Sequence, residues 1–154
     1  MRSALEQVGE LIRFRTGISL GQAQLPALEA ALRRVDPALD ADAFLRVKGD
    51  ARLLDRLIDE VTVNETFFFR QRRELDAIDW RRLMEGARAA ARDKIRVWVA
   101  ACASGEEAYT LAILATDALG DAPVPVSIVA TDISSAILEQ ARSARYGKRA
   151  MRFV

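Results

Sequence analysis

Two stretches of this chain carry side chains whose types and spacing suit chemistry. In Asn64-Glu65-Thr66-Phe67-Phe68-Phe69-Arg70, an amide, a hydroxyl and a guanidinium surround three consecutive phenylalanines. In the second stretch, Arg96 to Ala101 reads as a buried strand, Cys102 to Gly105 as a small-residue loop, and Glu106-Glu107-Ala108-Tyr109 as the start of a helix. That is how an open parallel sheet builds a nucleotide crevice. A phosphate-binding loop shows its ligand bare backbone N–H groups and the positive end of a helix dipole. Here two carboxylates stand at that place, so a pyrophosphate is repelled and a nucleoside with a cationic tail is attracted. S-adenosylmethionine, which carries a sulfonium and an ammonium and no phosphate, is the common cofactor of that description.

Each of these residues also has a structural reading. Asp132 follows a second apolar strand, where a carboxylate can accept both ribose hydroxyls of a nucleoside. The sequence Asp132-Ile133-Ser134 ahead of a helix can equally satisfy free N–H groups as a cap. Ala101, Ala103, Ser104 and Gly105 keep side-chain bulk away from the strand end, which permits close approach by a ligand. One of the two glutamates can complement the helix dipole, worth about 0.3–1 kcal/mol, but a pair exceeds what capping needs. The three phenylalanines can anchor one part of the chain on another, with Arg70 bonded to a carbonyl; in the ligand reading the rings bury and hold Asn64, Thr66 and Arg70 at the mouth of the crevice.

The elements that must position these groups differ in texture along the chain. From Ser3 to about Asp59 apolar residues recur at helical spacing, as Leu5, Val8, Leu11 and Ile12, then Leu25, Leu28, Ala31 and Leu32, then Leu53, Leu54, Leu57 and Ile58. Breakers at Gly17 to Gly21, Asp36-Pro37 and Lys48-Gly49-Asp50 separate them, and a short helix is expected over Asp42 to Val47. A strongly helical stretch runs from about Arg72 to Arg92. Then come a strand at Arg96 to Ala101, a helix at Glu106 to Leu119, a strand at Val126 to Thr131 and a helix at Ser134 to Ala144, with Asp121, Pro123 and Pro125 in the return turn. This β-α-β-α order opens a doubly wound sheet. The expected fold is therefore an α+β chain in two parts. Residues 1–71 form a small all-α domain ending in the aromatic segment, 72–93 form a helical linker, and 94–154 form the first half of a Rossmann-like α/β sheet.

Composition narrows the chemistry. Among 154 residues, 23 basic side chains nearly balance 22 acidic ones, which gives no global argument for nucleic acid or a membrane surface. One cysteine excludes an internal disulfide, and the lack of histidine argues against an imidazole base and a zinc site. The start is acid-bearing and amphipathic, and no stretch has the length of a membrane span, so the cytoplasm is the expected location. A nicotinamide-binding domain is argued against by the missing Gly-x-Gly-x-x-Gly and by Glu106-Glu107.

Taken in order, Asn64 to Arg70, Arg96-Val97-Trp98 with Ser104 to Tyr109, and Ala130-Thr131-Asp132-Ile133-Ser134 resemble the CheR chemotaxis-receptor glutamate methyltransferases, from about Leu11 to the last residue. The resemblance implies an N-terminal helical domain before an S-adenosylmethionine-binding α/β domain. It also implies methyl-ester formation on glutamates of the cytoplasmic helices of methyl-accepting chemotaxis receptors, with S-adenosylhomocysteine as product. Carried over by position, it implies that Asn64, Thr66 and Arg70 line the cofactor site, that Glu107 faces the methionyl ammonium and Asp132 the ribose, and that Arg70 lies near the methyl-transfer centre. No metal, nucleic acid or membrane insertion is implied. Family members continue for about a hundred residues more, so this sequence is expected to be the N-terminal portion of a longer enzyme, or to complete its sheet by self-association through the open edge. By itself it is expected to turn over little or no substrate. The alternative is a non-catalytic receptor-docking or sensory module. The stretch Gly21 to Glu29, rich in lysine and arginine in many members, is nearly neutral here, which leaves the receptor open, and Arg33, Arg34, Arg46, Arg52 and Arg56 form either a basic face in its place or, equally, an ordinary solvated helix surface.

Overall fold

The computed structural model describes residues 2–47, 50–120 and 123–152. Lys48 and Gly49 of one expected breaker, Asp121 of the return turn, and the final Phe153 and Val154 lie outside the described residues. The chain divides into two compact units, Met1–Val63 with Ile133–Ser135, and Asn64–Asp132 with Ala136–Val154.

The first unit is built from α1 (Ala4–Thr16), a 3-10 turn (Gln22–Gln24), α2 (Leu25–Val35), α3 (Ala41–Arg46) and α4 (Ala51–Val61). Local chemistry sets the ends of α1. Ser3 and Glu6 bond to each other's backbone N–H groups in a reciprocal cap, and Gly17 stops the helix at φ 81°, a left-handed conformation that suits glycine. Asp40 and Asp50 cap α3 and α4 through backbone N–H groups. The buried faces of α1 and α2 recur every three or four residues: Val8 and Ile12, then Leu28, Ala31, Leu32 and Val35. They close on Phe44 of α3 and Leu57 of α4. Of the five arginines expected as a basic face, Arg33 pairs with Glu29 and Arg34 with Glu60, while Arg56 donates to the Val35 carbonyl. Much of that charge is therefore spent within the unit.

The second unit contains α5 (Arg72–Asp76), α6 (Trp80–Ala89), β1 (Ile95–Ala100), α7 (Glu106–Leu119), β2 (Val126–Thr131) and nearly all of α8 (Ser135–Ser143). The helical stretch 72–92 is thus two helices, interrupted at Ala77–Asp79, where Asp79 caps α6 through the Arg82 N–H. β1 and β2 are parallel, in register from Ile95↔Val126 to Ala100↔Thr131. Side chains alternate across a strand, so Ile95, Val97 and Val99 share one face with Val126, Ile128 and Ala130. That face is covered by Trp80 and Met84 of α6 and by Leu111 and Ala115 of α7. On the other face Trp98 and Val129 are neighbours in register and remain 72% and 58% exposed. The indole Nε1 of Trp98 donates to the Thr131 hydroxyl at 3.0 Å.

Candidate active site at the carboxyl ends of the strands

The chain after β1 folds into an unusually tight loop. Ala101, Ala103 and Gly105 have φ of 55°, 46° and 94°, so three alternate residues occupy the left-handed region, two of them with a Cβ. Each such alanine costs on the order of 1 kcal/mol or more, a strain found mostly where a site requires it. Tertiary bonds hold the loop in place. The Cys102 N–H extends the ladder by donating to the Thr131 carbonyl at 2.9 Å, and the Ala103 N–H donates to Oδ2 of Asp132 at 2.8 Å. A Cβ at Gly105 would lie 3.0 Å from the Ala141 Cβ and 3.1 Å from the Tyr146 hydroxyl, so only glycine fits where α7 begins.

The two glutamates part company at this point. Glu106 is buried and its carboxylate accepts the Ser104 hydroxyl at 2.6 Å. Glu107 is exposed on the first turn of α7. The first glutamate therefore fastens the loop, while the second presents a carboxylate to solvent at the strand ends. Asp132 sits ahead of α8 and is bonded across to the loop, so its carboxylate is oriented before any ligand arrives. A carboxylate has about four lone-pair sites, and the bond to Ala103 is compatible with accepting hydroxyls as well.

The aromatic segment reaches the same end of α7 through its backbone and rings. The Phe69 N–H donates to the Thr110 hydroxyl at 3.1 Å, and that hydroxyl donates back to the Glu106 carbonyl at 2.7 Å. The Phe68 N–H donates to the Ala150 carbonyl, and its buried ring meets Tyr146 edge-on with centroids 4.9 Å apart. Tyr146 in turn donates to the Ser104 carbonyl at 2.7 Å and stacks edge-on against Tyr109. Asn64 and Thr66 are half-buried. Arg70 is exposed, donates to the Glu65 carbonyl and lies 5.7 Å from the Phe67 ring, on which Arg152 also stacks at 4.0 Å. Thr110 and Tyr146, which hold the segment to the loop, carried no signal in the sequence. Thr110 looks like an ordinary helical residue, and Tyr146 falls beyond the last periodic element.

Burial and then the Asp132 charge push the Cys102 thiol up from its ordinary range. It is 2% exposed, and a buried thiol with a raised pKa is a poor nucleophile. Burial, followed by the charge of Glu106, pushes the Tyr146 hydroxyl up to about 12. Proton transfer at neutral pH has no ready carrier in either group. No cluster of histidine, cysteine and carboxylate fit to hold a metal occurs among the described residues.

A strained, small-residue loop between a parallel strand and a helix, with an oriented aspartate at the end of the neighbouring strand, is the arrangement by which an α/β unit opens a crevice at the carboxyl ends of its strands. Residues 64–154 match the family described as CheR methyltransferase, SAM binding domain, and the chain belongs to that family. It is 41% identical over 111 residues to a chemotaxis protein methyltransferase of Listeria innocua, covering 70% of this chain and 40% of that protein. It is 32% identical over 154 residues to chemotaxis protein methyltransferase 2 of Pseudomonas aeruginosa, with 94% and 52% covered. A probable biofilm formation methyltransferase, WspC, of Pseudomonas putida is 33% identical over 145 residues, with 92% and 34% covered. The chain spans about half or less of the length of these relatives.

Proposed function

We propose that this chain carries the cofactor-binding portion of an S-adenosylmethionine-dependent methyltransferase that esterifies glutamate side chains on chemotaxis receptors. The observation that carries the reading is the Asp132 carboxylate held at 2.8 Å from the Ala103 N–H, beside a helix start whose exposed charge is Glu107. Asp132 accepts the ribose hydroxyls, and Glu107 attracts the ammonium of the methionyl tail through a charge-assisted contact. Asn64 and Thr66 border the site from the aromatic segment. S-adenosylmethionine, when bound, supplies an electrophilic methyl group on a sulfonium.

The residues of the chain have little proton chemistry to perform. A glutamate carboxylate is ionised at pH 7 and is itself the nucleophile, so the high pKa of Tyr146 and the lack of histidine are no obstacle. What the protein supplies is alignment and exclusion of water. Arg70 orients the acceptor carboxylate with its guanidinium, a geometry that suits a planar fork. The acceptor glutamate is presented on a helix of a chemotaxis receptor, a reading supported by the relatives' names as chemotaxis protein methyltransferases.

Calorimetric titration of S-adenosylmethionine and S-adenosylhomocysteine tests this. Both bind the wild-type chain, and Asp132→Ala and Glu107→Gln each weaken binding by about tenfold or more, the magnitude of losing a charge-assisted hydrogen bond. Asp132→Asn retains an acceptor for the Ala103 N–H and separates loop support from ligand contact. Failure of either ligand to bind at millimolar concentration, or equal binding by all variants, refutes the assignment.

A further inference from the structure

A second concave site lies at the other end of the sheet, away from the strand ends that form the candidate crevice. It is a groove of about 720 Å³ between α6 and the start of β1. β1 has six residues, and at about 3.3 Å per step the two ends of the strand are about 17 Å apart. The groove is lined by four cations, Arg82, Arg92, Lys94 and Arg96, against a single carboxylate, Asp79. Asp79 is already engaged as the cap of α6. None of the four cations takes part in an ion pair among the described residues, although arginines elsewhere in the chain are repeatedly paired. Arg96 alternates onto the Trp98 face of the strand, so the three unneutralised charges of Arg82, Arg92 and Lys94 border the concavity, repel each other and are relieved by an anion.

Two backbone features favour a ligand there. The helix end at α6 folds back tightly, with Ala91 at φ 53° and the Arg92 N–H donating to the Ala87 carbonyl at 2.8 Å. This turn returns Arg92 to the groove and occupies helix-end carbonyls that would otherwise repel an anion. Gly86 sits inside α6, lines the groove, and has open space where a Cβ would stand. Glycine within a helix sacrifices propensity, and no packing neighbour accounts for it. It leaves the helix backbone open to close approach. The floor is apolar, from Ile78, Leu83 and Ile95.

We propose that this groove binds a small molecule bearing two or more phosphates on a flat apolar body, of the nucleoside diphosphate class. The guanidiniums of Arg82 and Arg92 suit bidentate capture of phosphate oxygens. The volume is that of a small-molecule site rather than of an extended chain. The proposal does not rest on methyl transfer, since the groove shares no residue with the Asp132 site.

The test is calorimetric titration of ADP and of inorganic pyrophosphate into the whole chain at physiological salt, with circular dichroism to confirm that each variant is folded. ADP is expected to bind more tightly than pyrophosphate. An Arg82→Gln, Arg92→Gln double variant should weaken both by about tenfold or more. Gly86→Leu should weaken ADP by a similar factor by filling the groove, while Asp132→Ala leaves both unchanged. Four outcomes overturn the proposal: no binding at millimolar ADP; loss of binding in Asp132→Ala with retention in the double variant; equal binding of sulfate; or a glutamate-rich peptide that binds with this variant dependence where ADP does not.

Discussion

At the scale of single residues, the loop after β1 stores strain at known positions, and substitutions there have opposite signs. Gly105→Ala must place a Cβ 3.0 Å from Ala141 in a left-handed backbone, and is expected to destabilise the second unit by about 1–3 kcal/mol. Ala101→Gly relieves a positive φ at an exposed position and is expected to be neutral or stabilising by up to about 1 kcal/mol. Urea unfolding of both variants checks the pair, and a stabilising Gly105→Ala would contradict the geometry. Tyr146 provides a pH test. Its hydroxyl is raised to about 12, by burial first and then by Glu106, above the ordinary tyrosine value near 10. The folded state then holds a proton that the unfolded chain releases. The stability from this group is complete below about pH 10 and is lost as pH rises through about 12. Thermal unfolding from pH 9 to pH 11.5 should show a steeper loss for wild type than for Tyr146→Phe. Parallel curves would mean the hydroxyl is not buried as described.

At the scale of elements, α6 is the informative helix. Its apolar positions Trp80 and Met84 are four apart and join the core of the sheet. Trp80 is 4% exposed, and its indole Nε1 lacks a hydrogen-bond partner among the described residues. An unsatisfied buried donor costs about 1–3 kcal/mol. Trp80→Phe therefore removes a penalty along with some packing, and is expected to change stability by less than about 1.5 kcal/mol. Met84→Ala loses only packing and should cost about 2–5 kcal/mol. Chemical denaturation distinguishes them, and a larger loss for Trp80→Phe than for Met84→Ala would show that the indole has a partner. The buried face of α7 has a different logic. Glu106 and Thr110, one turn apart, are both buried and polar, and they are satisfied by the loop and by the aromatic segment. Their burial secures geometry at the site rather than apolar area.

At the scale of the whole molecule, the described sheet has two strands and an uncovered face. Trp98 and Val129 lie side by side on it, both more than half exposed, and each strand has a neighbour on one side only. Exposed apolar side chains beside free strand edges promote association. Sedimentation at rising concentration is expected to show self-association, and Trp98→Lys is expected to reduce it; a strictly monomeric wild type would refute this. No helix among the described residues is long and apolar enough to cross a membrane.

Much of the architecture was legible in the sequence because its causes are local. Helical spacing at Val8 and Ile12, capping at Ser3 and Glu6, and the small residues from Ala101 to Gly105 act within a turn or two of the chain. The strand-loop-helix pattern around Glu106-Glu107 depends on the same short range, and so does the position of Asp132 after the second strand. What only the tertiary structure decided was the use of those groups. Adjacent glutamates look equivalent in sequence, but a helix turns 100° per residue. Glu106 therefore faces the Ser104 hydroxyl in the interior while Glu107 faces water. The same holds for Asp132, whose bond to Ala103 spans two strands, and for Thr110 and Tyr146, whose partners lie about forty residues away. Long-range pairs of this kind leave no periodicity along the chain and exist only once the strands are in register.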